Sequence, residues 1–249
     1  LNSIKSLQHS QILQLYKQAF NRNHLKIILI GNLSQEKAHD ISERVASMFS
    51  SKSVTLLKET LSQNNTPTHK VVGFDTNQTY FIFASKFPLR YEDSDYPALM
   101  LANHILGNGL SSLLMKTLRD DQGLVYGVNS SIAIFDNIGV QLVQGQTQSK
   151  NLDGIKADIR KCIDQIVSQK VSSELFEQMK STLVLDLQLK TNNKDQLHDI
   201  ISFISNGLPA NYDQNLISSI QKLKLKDVAN AAHKLQAQDF YSVYVQKRK

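Results

Sequence analysis

The sequence predicts an α+β fold, a two-layer sandwich in which a mostly antiparallel sheet is covered on one face by helices. Three observations lead there. Short apolar or alternating stretches gather between residues 69 and 146, with two helical stretches among them. The tract from residue 152 to 235 repeats its apolar positions at helical spacing. One further alternating stretch, FYSVYVQ at residues 240–246, closes the chain. Strands grouped together, with helices that each need to cover only one face, are satisfied by packing one layer on the other.

Taken in order, residues 10–20 read as a helix capped by Ser10, with Ile12, Leu15, Tyr16 and Ala19 at helical spacing. A polar break at Asn21–His24 precedes LKIILI, residues 25–30, a continuous apolar run bounded by Gly31 that predicts a strand buried on both faces. Ser34 caps a second helix, in which Ala38, Ile41, Val45 and Met48 line one face and which ends near Phe49. Ser, Thr, Asn and Gln then dominate residues 51–68, with Pro67 near the end, and this stretch is read as a linker in preference to a long surface loop.

HKVVGF (69–74) and QTYFIFASKF (78–87) read as two strands joined in a hairpin through Asp75, Thr76 and Asn77. Asp95 is placed to cap a helix with Pro97 in its first turn, where the missing N–H costs nothing. Leu99, Ala102, Ile105 and Leu106 form its apolar face. Residues 106–128, LGNGLSSLLMKTLRDDQGLVYGV, come next. A Gly-Asn-Gly turn opens them, a short helix carries Leu113, Leu114 and Leu118, Gly123 stops it, and a strand is entered through Val125, Tyr126 and Val128. That strand runs to Phe135, and Asp136-Asn137 turns the chain into GVQLVQGQ at 139–146. Three amphipathic helices follow, on Leu152, Ile155, Ile159, Ile163 and Ile166, on Leu175, Met179, Leu183 and Leu187, and on Leu197, Ile201 and Ile204. Gly207, Leu208 and Pro209 break the run before two shorter helices, around 216–220 and 228–235.

Residues 12–30 and 228–246 both run helix, polar break, strand. If the second is the end of a complete domain, the first is the end of another copy, and LKIILI is a strand parted from its sheet. The predicted organisation is therefore 1–50 as the helix-strand-helix tail of a preceding repeat, 51–68 as linker and 69–249 as an α+β domain.

A chain of 249 residues, 41% of them hydrophobic, can bury one large core or two modest ones. No apolar run reaches the ~20 residues that span a bilayer as a helix. The sequence opens on Leu1, not Met, without a basic start and apolar signal region, so we expect the true N-terminus to have been removed. Cys162 is the single cysteine, which excludes a disulfide framework and a cysteine zinc ribbon, and its neighbours Ile159, Ile163 and Ile166 place it as a small core hydrophobe. The net charge of +6 is spread along the chain, which does not make a nucleic-acid footprint.

The order of motifs carries a resemblance. Asp75-x-x-Gln78, Asp95-Tyr96, ILGNGLSSLLMKTLR, GLVYGV and Phe135-Asp-Asn-Ile-Gly139 follow one another as in the zinc-less repeat of the pitrilysin/insulinase family of peptidases. The likeness covers residues 69–246, and residues 10–49 resemble the tail of the repeat before it. In that family one repeat binds zinc through an inverted His-x-x-Glu-His motif and a downstream Glu. A second repeat faces it across a chamber and contributes an Arg and a Tyr to peptide binding, at the positions of Arg119 and Tyr126 here. The resemblance implies a zinc-bearing homologous domain or subunit as partner, a peptide or unfolded polypeptide as substrate, and, for bacterial members, a periplasmic or exported location.

The sequence departs from the catalytic repeat. Its seven histidines are His9, His24, His39, His69, His104, His198 and His233, and none forms His-x-x-Glu-His. A zinc hydrolase needs about three protein ligands, an open position and a base for the water. This chain is expected to bind no metal and to be inactive alone, with zinc in the partner half.

The chemistry of the two residues fits the implied role. A guanidinium offers a fork of donors to a carbonyl or carboxylate, and a phenol can donate to an oxygen that becomes negative. Two readings of the pair remain open at this stage: substrate binding, or Arg119 paired with Asp120 or Asp121 while Tyr126 simply packs. Gly107 and Gly109 read as turn glycines, since no Gly-Lys-Ser/Thr follows. His104 reads as a core or rim histidine, and Glu174 and Glu177 as stabilisers of a helix N-terminus. A non-catalytic scaffold of the same fold, and a peptide-binding module acting alone, are the competing functions.

Overall fold

The structure is a computed structural model that describes residues 2–51, 66–135, 137–189, 194–236 and 240–247. The chain divides into two compact units, Leu1–Asn64 and Asn65–Lys249. Residues 52–65 of the predicted linker and Asp136 of the predicted turn lie outside the described residues.

The first unit contains helices α1 (Asn2–Lys5), α2 (His9–Ala19) and α3 (Gln35–Ser47). Ser34 caps α3 as the sequence predicts, its Oγ accepting the Lys37 N–H at 3.3 Å. Ser10 does not cap α2. It lies inside the first turn, and the Gln8 N–H donates to Gln11 Oε1 at 2.9 Å instead. The apolar stripe of α2 exists but is uncovered, with Ile12, Leu15 and Tyr16 all exposed. Residues 25–30 form no strand, and Leu29 and Ile30 are exposed, which corrects the expectation of a strand buried on both faces. A strand needs a neighbouring strand to satisfy its backbone groups, and among the described residues of this unit the strand pairing is one parallel bridge, Asn21 to Ser50.

The second unit holds a five-stranded sheet of β1 (His69–Phe74), β2 (Thr79–Pro88), β3 (Val128–Phe135), β4 (Ile138–Thr147) and β5 (Tyr241–Lys247), in the order β1-β5-β2-β4-β3. All neighbours are antiparallel except β1 and β5. The expected β1–β2 hairpin is therefore wrong. β5 lies between the two, with Val245 opposite both Val72 of β1 and Tyr80 of β2. Every residue of β1 is exposed, as suits an edge strand, whereas Ser242 and Tyr244 of β5 are buried and need a neighbour on each side. Turn residues at 75–77 mark where the chain reverses, not which strand it pairs with.

Helices α4 (Tyr96–Gly107), α5 (Leu152–Val167), α6 (Ser173–Leu189), α7 (Lys194–Ser205), α8 (Tyr212–Gln221) and α9 (Leu225–Ala232) complete the unit. Phe81, Phe83 and Phe87 of β2 are buried in one core with Leu99, Leu101, Ile105 and Leu106 of α4. The predicted stripe of α5 joins them: Leu152, Ile155, Ile159, Ile163 and Ile166 are all buried, as is Cys162. Each large side chain so covered contributes about 1.5–3 kcal/mol. α4 is buried on nearly every side, more than its predicted single face requires. Asp95 precedes α4 but makes no capping bond; its carboxylate pairs with Lys234 Nζ at 2.8 Å. On α7, Ile201 is exposed and Ile204 half-buried, and the side chain of Leu197 lies outside the described residues. Tyr80 and Ile82 of β2, Gln144 of β4 and Asn129 of β3 point to the opposite, open face of the sheet.

Candidate functional site

The site is built where α4 hands the chain to the edge strand β3. Gly107, the last residue of α4, touches β3 so closely that a Cβ there would lie 2.6 Å from the Ser130 Cβ. One turn earlier, Asn103 Nδ2 donates to the Ser130 carbonyl at 3.1 Å, and Ser130 Oγ donates back to Asn103 Oδ1 at 2.6 Å. Gln141 Nε2 donates to Ser130 Oγ at 3.3 Å, and Ser85 Oγ to Gln141 Oε1 at 3.4 Å. These four buried side chains form one hydrogen-bonded chain from α4 through β3 and β4 to β2. Paired in this way they fix the edge strand in place.

The connection itself follows the sequence closely. Gly109 takes φ +82°, and Ser112 Oγ donates to its carbonyl at 2.8 Å while accepting the Met115 N–H at 3.4 Å. The predicted short helix is present, and over Met115–Asp121 it is wound as a π-helix, a form found often at functional sites. Leu114 and Leu118 are fully buried beneath it. Gly123 ends it at φ +62°, its N–H bonded to the Arg119 carbonyl at 3.0 Å. Thr147 Oγ1 then donates to the Leu124 carbonyl at 2.7 Å and ties the exit to β4. β3 begins only at Val128, so Tyr126 stands in the bend before the strand, not in it. Between buried Val125 and Val128 its side chain is 83% exposed.

The two predicted residues meet. The Arg119 guanidinium carbon lies 5.5 Å from the centroid of the Tyr126 ring. A cation over an exposed ring contributes about 0.5–1 kcal/mol and holds both groups at one rim. No ion pair joins Arg119 to Asp120 or Asp121 among the described residues. The phenol faces solvent.

Beside Tyr126 lies a groove of about 630 Å³ that the sequence reading missed. Tyr80, Ile82, Leu110, Met115 and Tyr126 supply its apolar surface, and Asn129, Gln144 and Gln146 its amides; no lining residue is charged. A signal for it existed in TYFIFA (79–84), which is apolar at both parities and so announces a sheet with two apolar faces. The register that joins those strands was not legible.

Among the described residues no three His, Cys, Asp or Glu side chains converge to hold a metal ion. His69 lies edge-on to Tyr244 at 4.5 Å, and His233 Nδ1 is 2.9 Å from Gln236 Oε1. His104 is a core histidine, 2% exposed, with both ring nitrogens unpartnered. Burial pushes its pKa below the usual value, and the Asp186 carboxylate opposes this more weakly. Burial likewise raises the Cys162 thiol, which donates to Thr117 Oγ1 at 3.6 Å and behaves as a core residue. Glu174 sits in the first turn of α6, and Glu177 binds Lys180 Nζ at 2.9 Å.

Comparison with known proteins agrees with the motif-based resemblance. Residues 6–183 match the family described as the peptidase M16 inactive domain. A Helicobacter pylori protein described as the non-peptidase homolog YmxG is 25% identical over 233 residues, 91% of this chain and 52% of the relative. The Bacillus subtilis uncharacterized zinc protease YmxG is 24% identical over 196 residues, 77% of this chain and 47% of that protein. The chain thus spans about half the length of the curated relatives it matches. In fold it resembles the peptidase M16 inactive domain from Pseudomonas fluorescens, with a TM-score of 0.81 at 21% identity, covering 100% of this chain and 59% of that one. A Helicobacter pylori protease gives a TM-score of 0.82 at 14% identity, covering 99% and 60%.

Proposed function

The chain belongs to the family of peptidase M16 inactive domains, and from that premise we propose that it is the substrate-binding half of a zinc metalloendopeptidase. Its partner is a zinc-bearing domain or subunit of the same fold, fused upstream or separate, with residues 1–50 as the tail of the repeat that precedes this domain. Zinc in that partner supplies the Lewis acid and the activated water. The observation that carries the reading is Arg119 stacked on an exposed Tyr126 at the mouth of an uncharged groove. Arg119 offers its donors to a peptide carbonyl or terminal carboxylate, and Tyr126 its phenolic hydrogen to an oxygen gaining negative charge. β3 ends the sheet, and its free edge is suited to accept an extended peptide as an added strand.

The test is reconstitution with a zinc-bearing half and a quenched fluorescent peptide. Cleavage is expected only in the mixture, and Arg119→Ala or Tyr126→Phe lowers kcat/KM by about a hundredfold to a thousandfold. Unchanged cleavage in both variants removes the site assignment. A non-catalytic assembly role draws support from the relative described as a non-peptidase homolog. A stable complex that forms without any zinc subunit favours that second reading.

A further inference from the structure

We propose that the cleft between β1, β5 and the first turns of α5 binds a small zwitterion with an apolar side chain, a free amino acid or a dipeptide. The cleft lies on the helix-bearing face of the sheet and shares no residue with the groove beside Tyr126, so its ligand is independent of the proposed peptide site.

The space exists because the helix layer stops short of the sheet edge. Ser242 and Tyr244 of β5 are buried, yet His69 and Val71, which lie beside them by register, are exposed like the rest of β1. Leu152, Asp153 and Lys156 of α5 form the facing wall of a cleft of about 700 Å³, within the size range of small-molecule sites. One side is aromatic and firmly seated. Tyr244 and Phe240 both pack on the buried Phe83 ring, at 5.9 and 5.8 Å between centroids, and His69 meets Tyr244 edge-on at 4.5 Å. Ser149, also in the lining, is held by Thr79 Oγ1 at 2.6 Å and donates to Gln246 Oε1 at 3.3 Å. Walls fixed before a ligand arrives cost little ordering on binding.

The charges select the ligand. Asp153 and Lys156 are three residues apart on one helix, a spacing at which opposite charges are neighbours. At the same spacing and in the same order, Lys161 binds Asp158 at 2.8 Å on α5 and Lys180 binds Glu177 at 2.9 Å on α6. Among the described residues neither Asp153 nor Lys156 is in an ion pair. Lys156 Nζ stands 6.0 Å from the Phe83 ring centroid, while Asp153 is exposed. A simple anion drawn to Lys156 would meet the Asp153 carboxylate, and a simple cation drawn to Asp153 would meet the ammonium. A ligand with a carboxylate for Lys156 and an ammonium for Asp153 satisfies both, and its side chain is left to the Tyr244 and Phe240 rings.

Isothermal titration calorimetry on the 249-residue chain tests this with phenylalanine, leucyl-phenylalanine, N-acetylphenylalanine and phenylalaninamide. The first two are expected to bind, and the two blocked compounds to bind about tenfold or more weakly than phenylalanine. Asp153→Asn is expected to bring N-acetylphenylalanine level with phenylalanine, and Lys156→Met to do the same for phenylalaninamide. Both positions lie outside the hydrophobic core, so the fold survives. Tighter binding of leucyl-phenylalanine assigns the cleft to a dipeptide, and tighter binding of phenylalanine to a free amino acid. A blocked compound that binds the unaltered chain as tightly as phenylalanine overturns the zwitterion, and so does binding that neither variant changes. No binding by any of the four up to millimolar concentration overturns the site.

Discussion

Residues 12–30 and residues 228–246 carry the same order of helix, polar break and apolar stretch, and they end in opposite states. In the first, Ile12 and Leu15 of α2 are 54% and 63% exposed, and residues 25–30 form no strand. In the second, Val228, Ala232 and Leu235 are completely buried, and β5 is paired on both sides, with β1 and β2. The apolar content does not explain the difference, since LKIILI is at least as apolar as YSVYVQ. The difference lies in what is there to receive each segment. A pattern states what a stretch of chain can bury, and only a sheet with a vacant position lets it do so.

The comparison breaks first on core substitutions. Phe83→Ala, at a fully buried position of β2, is expected to cost about 3–5 kcal/mol in chemical denaturation, whereas Leu15→Ala on α2 stays within about 0.5 kcal/mol. Similar losses in the two would mean that α2 is covered after all. A smaller contrast separates the polar groups. Ser130→Ala leaves Asn103 Oδ1 and Gln141 Nε2 without the hydroxyl they share and is expected to cost about 1–3 kcal/mol by the same assay, against about 1 kcal/mol or less for removing the exposed α3 cap with Ser34→Ala.

Acid sharpens the contrast in another way. The folded pKa of His104 lies below its unfolded value, near 6.5, so the unfolded chain binds the extra proton first. Its contribution to stability is complete above that value and is lost as pH falls toward the folded pKa. Thermal melts from pH 8 to pH 5 are expected to show the second unit losing stability, and His104→Leu to flatten that dependence. A wild-type and a variant that fall in parallel would place the acid sensitivity elsewhere. The smallest effects make the two units alike. Lys234→Ala, which breaks the pair with Asp95, and Arg22→Ala, which breaks the pair with Glu43, are each expected to cost less than about 1 kcal/mol in melts, because both pairs are open to solvent.

Local pattern made much of this molecule legible. The alternation of β5, the helical stripe of α5 and the stop at Gly123 all appear where the sequence places them. The Arg119–Tyr126 contact was within reach for the same reason, since a left-handed glycine between a helix and a strand returns the chain over a short distance. Pairing between distant segments left no local trace. β1 finds its partner in β5 at the other end of the chain, and nothing in Asp75-Thr76-Asn77 distinguishes that from a hairpin. The groove escaped for the same cause, being assembled from β2, β3, β4 and Leu110 by register. Asp95 shows a different limit: the residue type suited a cap, and a nearby ammonium took the carboxylate instead.

We propose that residues 69–249 are the zinc-less domain and residues 1–50 the tail of the repeat before it. Amide hydrogen exchange at residues 25–30 tests this most directly, measured in this chain and in a longer chain that carries the preceding repeat. Rapid exchange at 25–30 is predicted here, beside slow exchange at Tyr241–Lys247, with both segments slow in the longer chain. Protection of residues 25–30 in this chain alone, or rapid exchange there in both, would contradict the account.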